Sequence, residues 1–174
     1  VTGIASAHCD SIPLVVLTGQ VPTHLIGNDA FQEVDIVGIT RPCTKHNYLV
    51  ESTADLARIL REAFHLARSG RPGPVLVDIP KNVATGRAGI PPAGEVRIRS
   101  YNPTYRPNGK QVKEVVRLIR ESQRPMIFAG GGVILSKAST ELTRLARREQ
   151  IPVATSLMGL GAFPNEDPLC LDML

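Results

Sequence analysis

The feature that most constrains the fold is a short apolar run that ends abruptly in a long polar loop. The run is Leu14 to Leu17, and residues 18–33 that follow it read TGQVPTHLIGNDAFQE. Short apolar, β-branched runs that stop at turn-forming residues are typical of buried strands in parallel sheets. Ligands of parallel sheets bind just beyond the carboxyl ends of the strands, so we expect this loop to carry functional residues. The alternative is a surface connection whose polar side chains only stabilise turns.

A helix pattern and a second strand pattern follow this loop. Ser52 is a predicted N-cap and Gly70 a predicted stop of a helix whose apolar face comprises Leu56, Ile59, Leu60, Ala63 and Ala67. The run Val75 to Ile79 then has the composition of a second buried strand. A strand, a helical crossover and a strand form a βαβ unit, which predicts a parallel sheet with a right-handed connection.

Residues 111–174 show the same alternation of helix and strand patterns. Two predicted strands, Met126 to Ala129 and Ile151 to Thr155, end in the glycine-bearing segments 130–132 and 156–161. Residues 84–110 are rich in Pro and Gly and lack helical or strand periodicity, which is typical of an interdomain linker. We therefore predict the α/β class, with parallel-sheet domains at 1–83 and 111–174 joined by a linker at 84–110.

Composition excludes several kinds of partner. The chain has a net charge of +4, but only 4% of its residues are aromatic and it has no Trp, which disfavours stacking on nucleic acid. This balance favours an anionic, phosphorylated cofactor. No stretch is long and apolar enough to predict a membrane span. Cys9, Cys43 and Cys170 form no CxxC pair, which predicts neither a zinc site nor a disulfide framework and favours a reducing compartment.

Glycines at two strand exits are candidates for cofactor binding. Gly130, Gly131 and Gly132 follow one predicted strand, and Ser156 to Gly161 follow the next. Small residues at neighbouring strand exits would leave a crevice suited to a dinucleotide. The alternative for the triple glycine is a tight turn that needs a positive φ.

Four further side chains are candidates, each with a structural alternative. Arg71 precedes a Pro-Gly-Pro turn and could reach a phosphate, or could be an exposed arginine at a helix end. Lys81 follows a buried strand and could line a substrate channel together with Gln32 and Phe31. Gln32 could position a carboxylate or keto group without titrating, and Phe31 could wall off a small substrate or simply pack. The pair Cys43 and His46 lacks a third metal ligand or an orienting carboxylate at matching spacing.

Several motifs together resemble a known family. They are TGQVP, IGNDAFQE, TRPCTKHNYLV, SGRPGPVLVDIPK, AGGG and SLMGLGAFP, which extend in order over essentially the whole chain. The sequence resembles the large catalytic subunit of acetolactate synthase, a thiamine diphosphate enzyme. The resemblance implies that residues 1–83 are the second half of a pyrimidine-binding domain and residues 111–174 the first half of a middle, FAD-binding domain.

The resemblance also implies residue roles. Phe31 and Gln32 would face the active site, and Lys81 would stand at the substrate channel, whose entrance Pro22 and Ala30 would also line. The residues that would hold FAD are Arg71, Gly131, Ser156 and Leu157. The glutamate that activates the thiamine cofactor would lie before Val1, and the motif for Mg²⁺ and the diphosphate after Leu174. These 174 residues would then contain no metal site, and we expect them to be inactive alone.

The implied activity is decarboxylation of pyruvate and transfer of the two-carbon unit to pyruvate or 2-ketobutyrate, in branched-chain amino acid biosynthesis. The resemblance implies a homodimer or homotetramer, with a small regulatory subunit as a further partner, in the cytoplasm or, in a plant, the plastid. Two alternatives stay open. One is another FAD-containing thiamine enzyme of the glyoxylate carboligase or pyruvate oxidase type, and the other is a non-catalytic nucleotide-binding module.

Overall fold

The computed structural model describes residues 1–89 and 94–174, so residues 90–93 of the predicted linker lie outside the described residues. The chain divides into two compact units, Val1–Tyr105 and Arg106–Leu174. Each unit contains its own three-stranded sheet, and every strand pair in both sheets is parallel. The predicted α/β class with parallel sheets is confirmed.

The first unit contains most of the helices and strands of the chain. In chain order they are α1 (Thr2–Cys9), β1 (Leu14–Gln20), α2 (Ile36–Thr40), β2 (His46–Leu49), α3 (Thr53–Arg68), β3 (Pro74–Pro80) and α4 (Lys81–Ala84). The strand order is β1-β3-β2, so β3 lies in the middle of the sheet. Leu14 pairs with Pro74 and Gln20 with Pro80, which places the carboxyl ends of β1 and β3 side by side.

Helix α3 supplies half of the buried residues of the core cluster of this sheet. The Ser52 hydroxyl accepts a hydrogen bond from the Ala54 amide at 3.3 Å, as the predicted N-cap requires. The apolar face of α3 packs on β3, the central strand, and forms a hydrophobic cluster with it. The buried residues of this cluster are Val50, Ile59, Ala63, Leu66, Ala67, Val75, Val77 and Val83. Burial of this continuous apolar set fixes β3 under the helix and so fixes where its carboxyl end emerges.

The described residues after α4 form neither helix nor strand until α5, yet part of this segment packs on the first unit. Ile98 and Tyr101 contact its core. The Tyr101 hydroxyl donates to the Ser69 carbonyl at 2.7 Å, and the Tyr105 hydroxyl accepts from the Gly70 amide at 3.0 Å. Both tyrosines thereby satisfy backbone groups at the end of α3. The domain limits given above remain a prediction.

The second unit comprises α5 (Gly109–Glu121), β4 (Ile127–Ala129), α6 (Gly131–Leu135), α7 (Ser139–Glu149), β5 (Val153–Thr155) and β6 (Cys170–Met173). The strand order is β4-β5-β6, and the buried core comprises Ala129, Ala146, Val153 and Phe163. Strand β6 was not predicted, because its exposed, partly polar sequence CLDM lacks the signature of a buried strand. Within the described ranges, no helix combines the length and apolar character that crossing a membrane requires.

Candidate functional site

A hydrogen-bonded network joins the carboxyl ends of β1 and β3. Asp78 is 1% exposed. Its carboxylate accepts hydrogen bonds from the Thr18 hydroxyl at 2.7 Å and from the Gln20 side-chain amide at 3.0 Å. The same Gln20 amide nitrogen donates to the Val34 carbonyl at 2.8 Å. The buried carboxylate thus orients Gln20, and Gln20 holds the far end of the loop that follows β1.

The near end of this loop is held by helix α4. The Thr23 amide donates to the Asn82 side-chain carbonyl at 2.9 Å, and the Asn82 amide donates to the Thr23 hydroxyl at 3.0 Å. Asn82 is the neighbour of Lys81, which begins α4 at the carboxyl end of β3. The loop and the helix that carries Lys81 are therefore fixed to each other at one edge of the sheet.

Phe31 and Gln32 lie in the exposed middle of the loop. Phe31 is 89% exposed. Gln32 has a left-handed backbone conformation with φ of 61°, and Asp29 has φ of 50°. Non-glycine residues rarely adopt this conformation without support from their surroundings.

Glu33 provides such support. Its carboxylate accepts hydrogen bonds from the Gly27 amide and, at 2.9 Å, from the Ala30 amide. The Glu33 amide in turn donates to the Ala30 carbonyl at 2.9 Å. The bonds from Gly27 and then Ala30 hold the pKa of the Glu33 carboxyl below its usual value, because they favour the ionised form. Residues 27–33 are therefore closed into a compact turn around one carboxylate.

The second unit has a corresponding edge where β4 and β5 end. The Ser156 amide donates to the Ala129 carbonyl at 3.0 Å, which joins the two strand exits. A Cβ on Gly131 would lie 2.9 Å from the Met158 carbonyl oxygen, so only glycine fits there without movement. At Gly132 the same atom would meet nothing within 4 Å. Leu157, which lies between Ser156 and Met158 in the sequence, is 67% exposed.

The triple glycine does not serve a turn with positive φ. The glycines with positive φ in the described residues are Gly27, Gly70 and Gly161. The requirement at Gly131 is instead the close approach of α6 to residues 157–159. A Cβ on Gly130 would have only Ser156 Oγ within 4 Å, at 3.6 Å, and one on Gly132 would have no atom within that distance. This edge is compatible with a flavin or its phosphates.

No group of three or more His, Cys, Asp and Glu side chains in the described ranges is arranged to hold a metal ion. The Cys43 thiol donates to the Thr40 carbonyl at 3.4 Å, and the His46 ring packs edge-on against Tyr48 with centroids 4.5 Å apart. Both side chains of that candidate pair therefore have local structural roles.

Two family models match two separate parts of the chain. The "Thiamine pyrophosphate enzyme, N-terminal TPP binding domain" matches residues 1–39, and the "Thiamine pyrophosphate enzyme, central domain" matches residues 112–174. The chain belongs to the thiamine pyrophosphate enzymes.

Curated relatives of this thiamine pyrophosphate enzyme chain extend the similarity to its whole length. It is 49% identical over 176 residues to the acetolactate synthase of Arthrospira platensis, with 100% of the chain and 30% of the relative covered. It is 50% identical over 177 residues to a probable acetolactate synthase large subunit of Methanocaldococcus jannaschii, with the same coverage. A Mycobacterium tuberculosis acetolactate synthase large subunit is 51% identical over 95% of the chain and 27% of the relative. The chain thus spans about 30% of the length of these relatives.

The structure of this thiamine pyrophosphate enzyme chain groups its predicted site residues in two sets. Phe31, Gln32 and Lys81 belong to the loop and helix at the β1 and β3 edge, and Gly131, Ser156 and Leu157 to the β4 and β5 edge. Arg71 belongs to the first unit, where its guanidinium donates to the Ser11 hydroxyl at 2.8 Å and the Cys9 carbonyl at 3.3 Å. Arg71 therefore binds the carbonyl of Cys9, the last residue of α1, and the hydroxyl of Ser11, which follows this helix.

Sequence reasoning assigned no role to Asp78, Asn82 or Glu33. A weak signal existed for Glu33, since a carboxylate a few residues after a Gly-Asn-Asp sequence can accept hydrogen bonds from turn amides. Asp78 stands out only as an acidic residue inside an apolar strand, and such a residue needs hydrogen-bonding partners when buried.

Proposed function

We propose that this chain is part of an acetolactate synthase large subunit. The proposed enzyme decarboxylates pyruvate and transfers the two-carbon unit to pyruvate or 2-ketobutyrate. The observation that carries the proposal is the loop with the sequence IGNDAFQE, held against α4 by the Thr23–Asn82 pair and against the sheet by Gln20. Identities of 49–50% to acetolactate synthases over the whole chain support it.

Thiamine diphosphate, when bound, supplies the carbanion chemistry that keto-acid decarboxylation requires. In the proposal this chain provides one wall of the reaction chamber. Gln32 hydrogen-bonds the keto or carboxylate group of the incoming 2-keto acid, because its amide donates and accepts without titrating. Phe31 lies over the substrate and excludes water. Lys81 attracts the substrate carboxylate at the channel entrance through its positive charge.

Gly131, Ser156 and Leu157 are the proposed FAD ligands of the second unit, and Arg71 is proposed to bind phosphate. The open backbone at Gly130 and Gly132 supports this assignment. In the proposal Mg²⁺ and the diphosphate bind to parts of the enzyme outside these 174 residues. The assembly is proposed to be a homodimer or homotetramer of catalytic subunits that also binds a small regulatory subunit, located in the cytoplasm, or in the plastid of a plant.

The test is a substrate panel on the protein expressed from its complete reading frame. With thiamine diphosphate, Mg²⁺ and FAD, we expect acetolactate from pyruvate and acetohydroxybutyrate when 2-ketobutyrate is added. The 174-residue chain alone should give neither product. Condensation of glyoxylate, or oxidation of pyruvate, as the main reaction would contradict the proposal and favour one of the related thiamine enzymes. Flavin binding without any keto-acid reaction would favour the non-catalytic module.

A further inference from the structure

The seven residues from Gly27 to Glu33 form a turn whose backbone is unusual at three positions. Gly27, Asp29 and Gln32 have φ of 85°, 50° and 61°. Glycine adopts this conformation freely, whereas Asp29 and Gln32 are held in it against their own preference. A loop of this kind keeps its shape only if other contacts define it more strongly than its local preferences do.

The Glu33 carboxylate is the group that makes those contacts inside the turn. Its two oxygens accept from two different amides, Gly27 at the start and Ala30 at the centre. The backbone bond from the Glu33 amide to the Ala30 carbonyl closes the second half, which contains Phe31 and Gln32. One side chain therefore ties together both ends of the turn.

The residue after Glu33 is fixed independently. The Val34 carbonyl accepts the amide of Gln20, and Gln20 is oriented by the buried Asp78. Glu33 thus stands between a rigid attachment to the sheet and the exposed Phe31–Gln32 pair. A change in how Glu33 binds the turn should therefore act on these two side chains, because Val34 on the other side is attached to the sheet through Gln20.

We propose that Glu33 is a positioning residue, whose carboxylate holds Gln32 in its left-handed conformation and thereby sets the direction of the Phe31 and Gln32 side chains toward substrate. The part that concerns substrate rests on the proposed function. The part that concerns the turn depends only on the contacts of Gly27, Ala30 and Glu33.

Two variants separate this role from a general effect on folding. Glu33→Ala removes both acceptors. Glu33→Gln keeps the length of the side chain and one carbonyl oxygen, so it retains one bond and replaces the other acceptor with a donor that faces an amide. The matched control is Glu51→Gln, an exposed glutamate outside the turn that loses its charge in the same way.

The first measurement is hydrogen exchange of the complete enzyme, followed by mass spectrometry on peptides that cover residues 26–34 and residues 53–68. We expect the turn peptide to exchange about tenfold faster in Glu33→Ala and by a smaller factor in Glu33→Gln, because charge-assisted hydrogen bonds are lost. The helix peptide and the Glu51→Gln variant should match the wild type. Unchanged exchange in the turn peptide of both Glu33 variants would overturn the proposal.

The second measurement is steady-state kinetics on the same proteins. We expect kcat/KM for pyruvate to fall about tenfold or more in Glu33→Ala, with an unchanged thermal midpoint and partial recovery in Glu33→Gln. A lower thermal midpoint with unchanged kcat per folded enzyme would overturn the positioning role. If the wild type forms no acetolactate while the turn peptide exchanges faster in the variants, the proposed function fails and the role of Glu33 in the turn is supported.

Discussion

Thr23 and Asn82 bind each other through two reciprocal hydrogen bonds, 2.9 Å and 3.0 Å long. This pair joins the loop after β1 to the helix after β3, two segments that are far apart in sequence. Phe31 and Gln32 belong to the same loop as Thr23, and Lys81 is the residue directly before Asn82. The pair therefore makes the predicted substrate-facing residues one structural unit rather than two independent segments.

The Asn82→Ala variant should loosen this unit. Both bonds are lost, and each exposed bond contributes about 0.5–1.5 kcal/mol. We expect KM for pyruvate in the complete enzyme to rise about threefold to tenfold, because Lys81 and the loop are then no longer held in a fixed position relative to each other. Thr23→Val removes only the hydroxyl acceptor, so it should have a smaller effect. Equal effects of Thr23→Val and Asn82→Ala would show that the backbone bond from Thr23 contributes nothing.

The Asp78 side chain should contribute to the free energy of unfolding through the hydrogen bonds that its carboxylate accepts. Asp78→Ala leaves the Thr18 hydroxyl and the Gln20 amide without their acceptor in a partly buried region, which costs about 2 kcal/mol or more. Urea denaturation should show a lower midpoint, and hydrogen exchange should rise near Val34 because Gln20 loses the carboxylate that orients it. Asp78→Asn retains the shape and should cost less. An Asp78→Ala protein as stable as Glu51→Gln would contradict this account.

Acid should release the turn around Glu33 in a defined direction. Hydrogen bonds from Gly27 and Ala30 hold the Glu33 carboxyl pKa below its usual value. A depressed carboxyl pKa stabilises the folded turn above the pKa of the unfolded chain, and this contribution disappears as the pH falls through the folded value. Exchange protection of residues 26–34, corrected for intrinsic exchange, should therefore fall with acidification in the wild type. The turn in Glu33→Gln should show no such titration, and a wild type that behaves like this variant would refute the prediction.

Lys81 should act through its charge rather than through packing, because it is exposed at the start of α4. Lys81→Met keeps most of the side-chain length and removes the charge. We expect KM for pyruvate to rise by more than kcat falls, and the wild-type KM to rise with salt while that of the variant does not. Lys110→Met, at an exposed lysine of α5, is the control. A fall in kcat alone would indicate a role in the reaction itself rather than in substrate attraction.

Gly131 and Gly132 form a natural matched pair. A Cβ at Gly131 would lie 2.9 Å from the Met158 carbonyl, whereas one at Gly132 would meet nothing within 4 Å. Gly131→Ala should therefore destabilise the second unit by about 1–3 kcal/mol. Under the proposed function it should also lower flavin occupancy, measured by flavin absorbance of the purified enzyme. Gly132→Ala should leave stability unchanged or slightly increased, because alanine favours helix. Equal stability of the two variants would show that α6 moves to accommodate the methyl group.

The sequence predicts those parts of the fold that depend on periodic burial. Strand β3 and helix α3 were found because their apolar residues are buried together, as Val75, Val77 and Ile59 are. The apolar run of β1 predicts a buried strand, but β1 lies at the edge of the sheet, where its seven residues are exposed or half-buried and Leu17 is 58% exposed. Strand β6 was not found, because an exposed edge strand such as Cys170–Met173 lacks that pattern. The same reasoning places Phe31, Gln32 and Lys81 at the carboxyl ends of parallel strands.

The contacts that hold these side chains could not be predicted in the same way. Asn82 and Glu33 bind backbone amides in a loop, and which amides they reach depends on loop dihedral angles that composition does not determine. The tyrosines of the predicted linker show the same effect, since Tyr101 and Tyr105 bind groups at the end of α3 from a Pro- and Gly-rich segment. For the triple glycine, the structural alternative to cofactor binding was a positive φ, whereas the constraint that the structure shows at Gly131 is the close approach of Met158.

The left-handed backbone at Gln32 also restricts which substitutions this position accepts. At φ of 61°, a Cβ-branched residue such as Val, Ile or Thr clashes with its own backbone, whatever its side chain offers to substrate. A saturation library selected only for folded protein should already be depleted of these residues at position 32 and enriched in Gly and Asn. Under the proposed function, variants at position 32 that change which 2-keto acid receives the two-carbon unit would be limited to the few side chains that this backbone conformation allows.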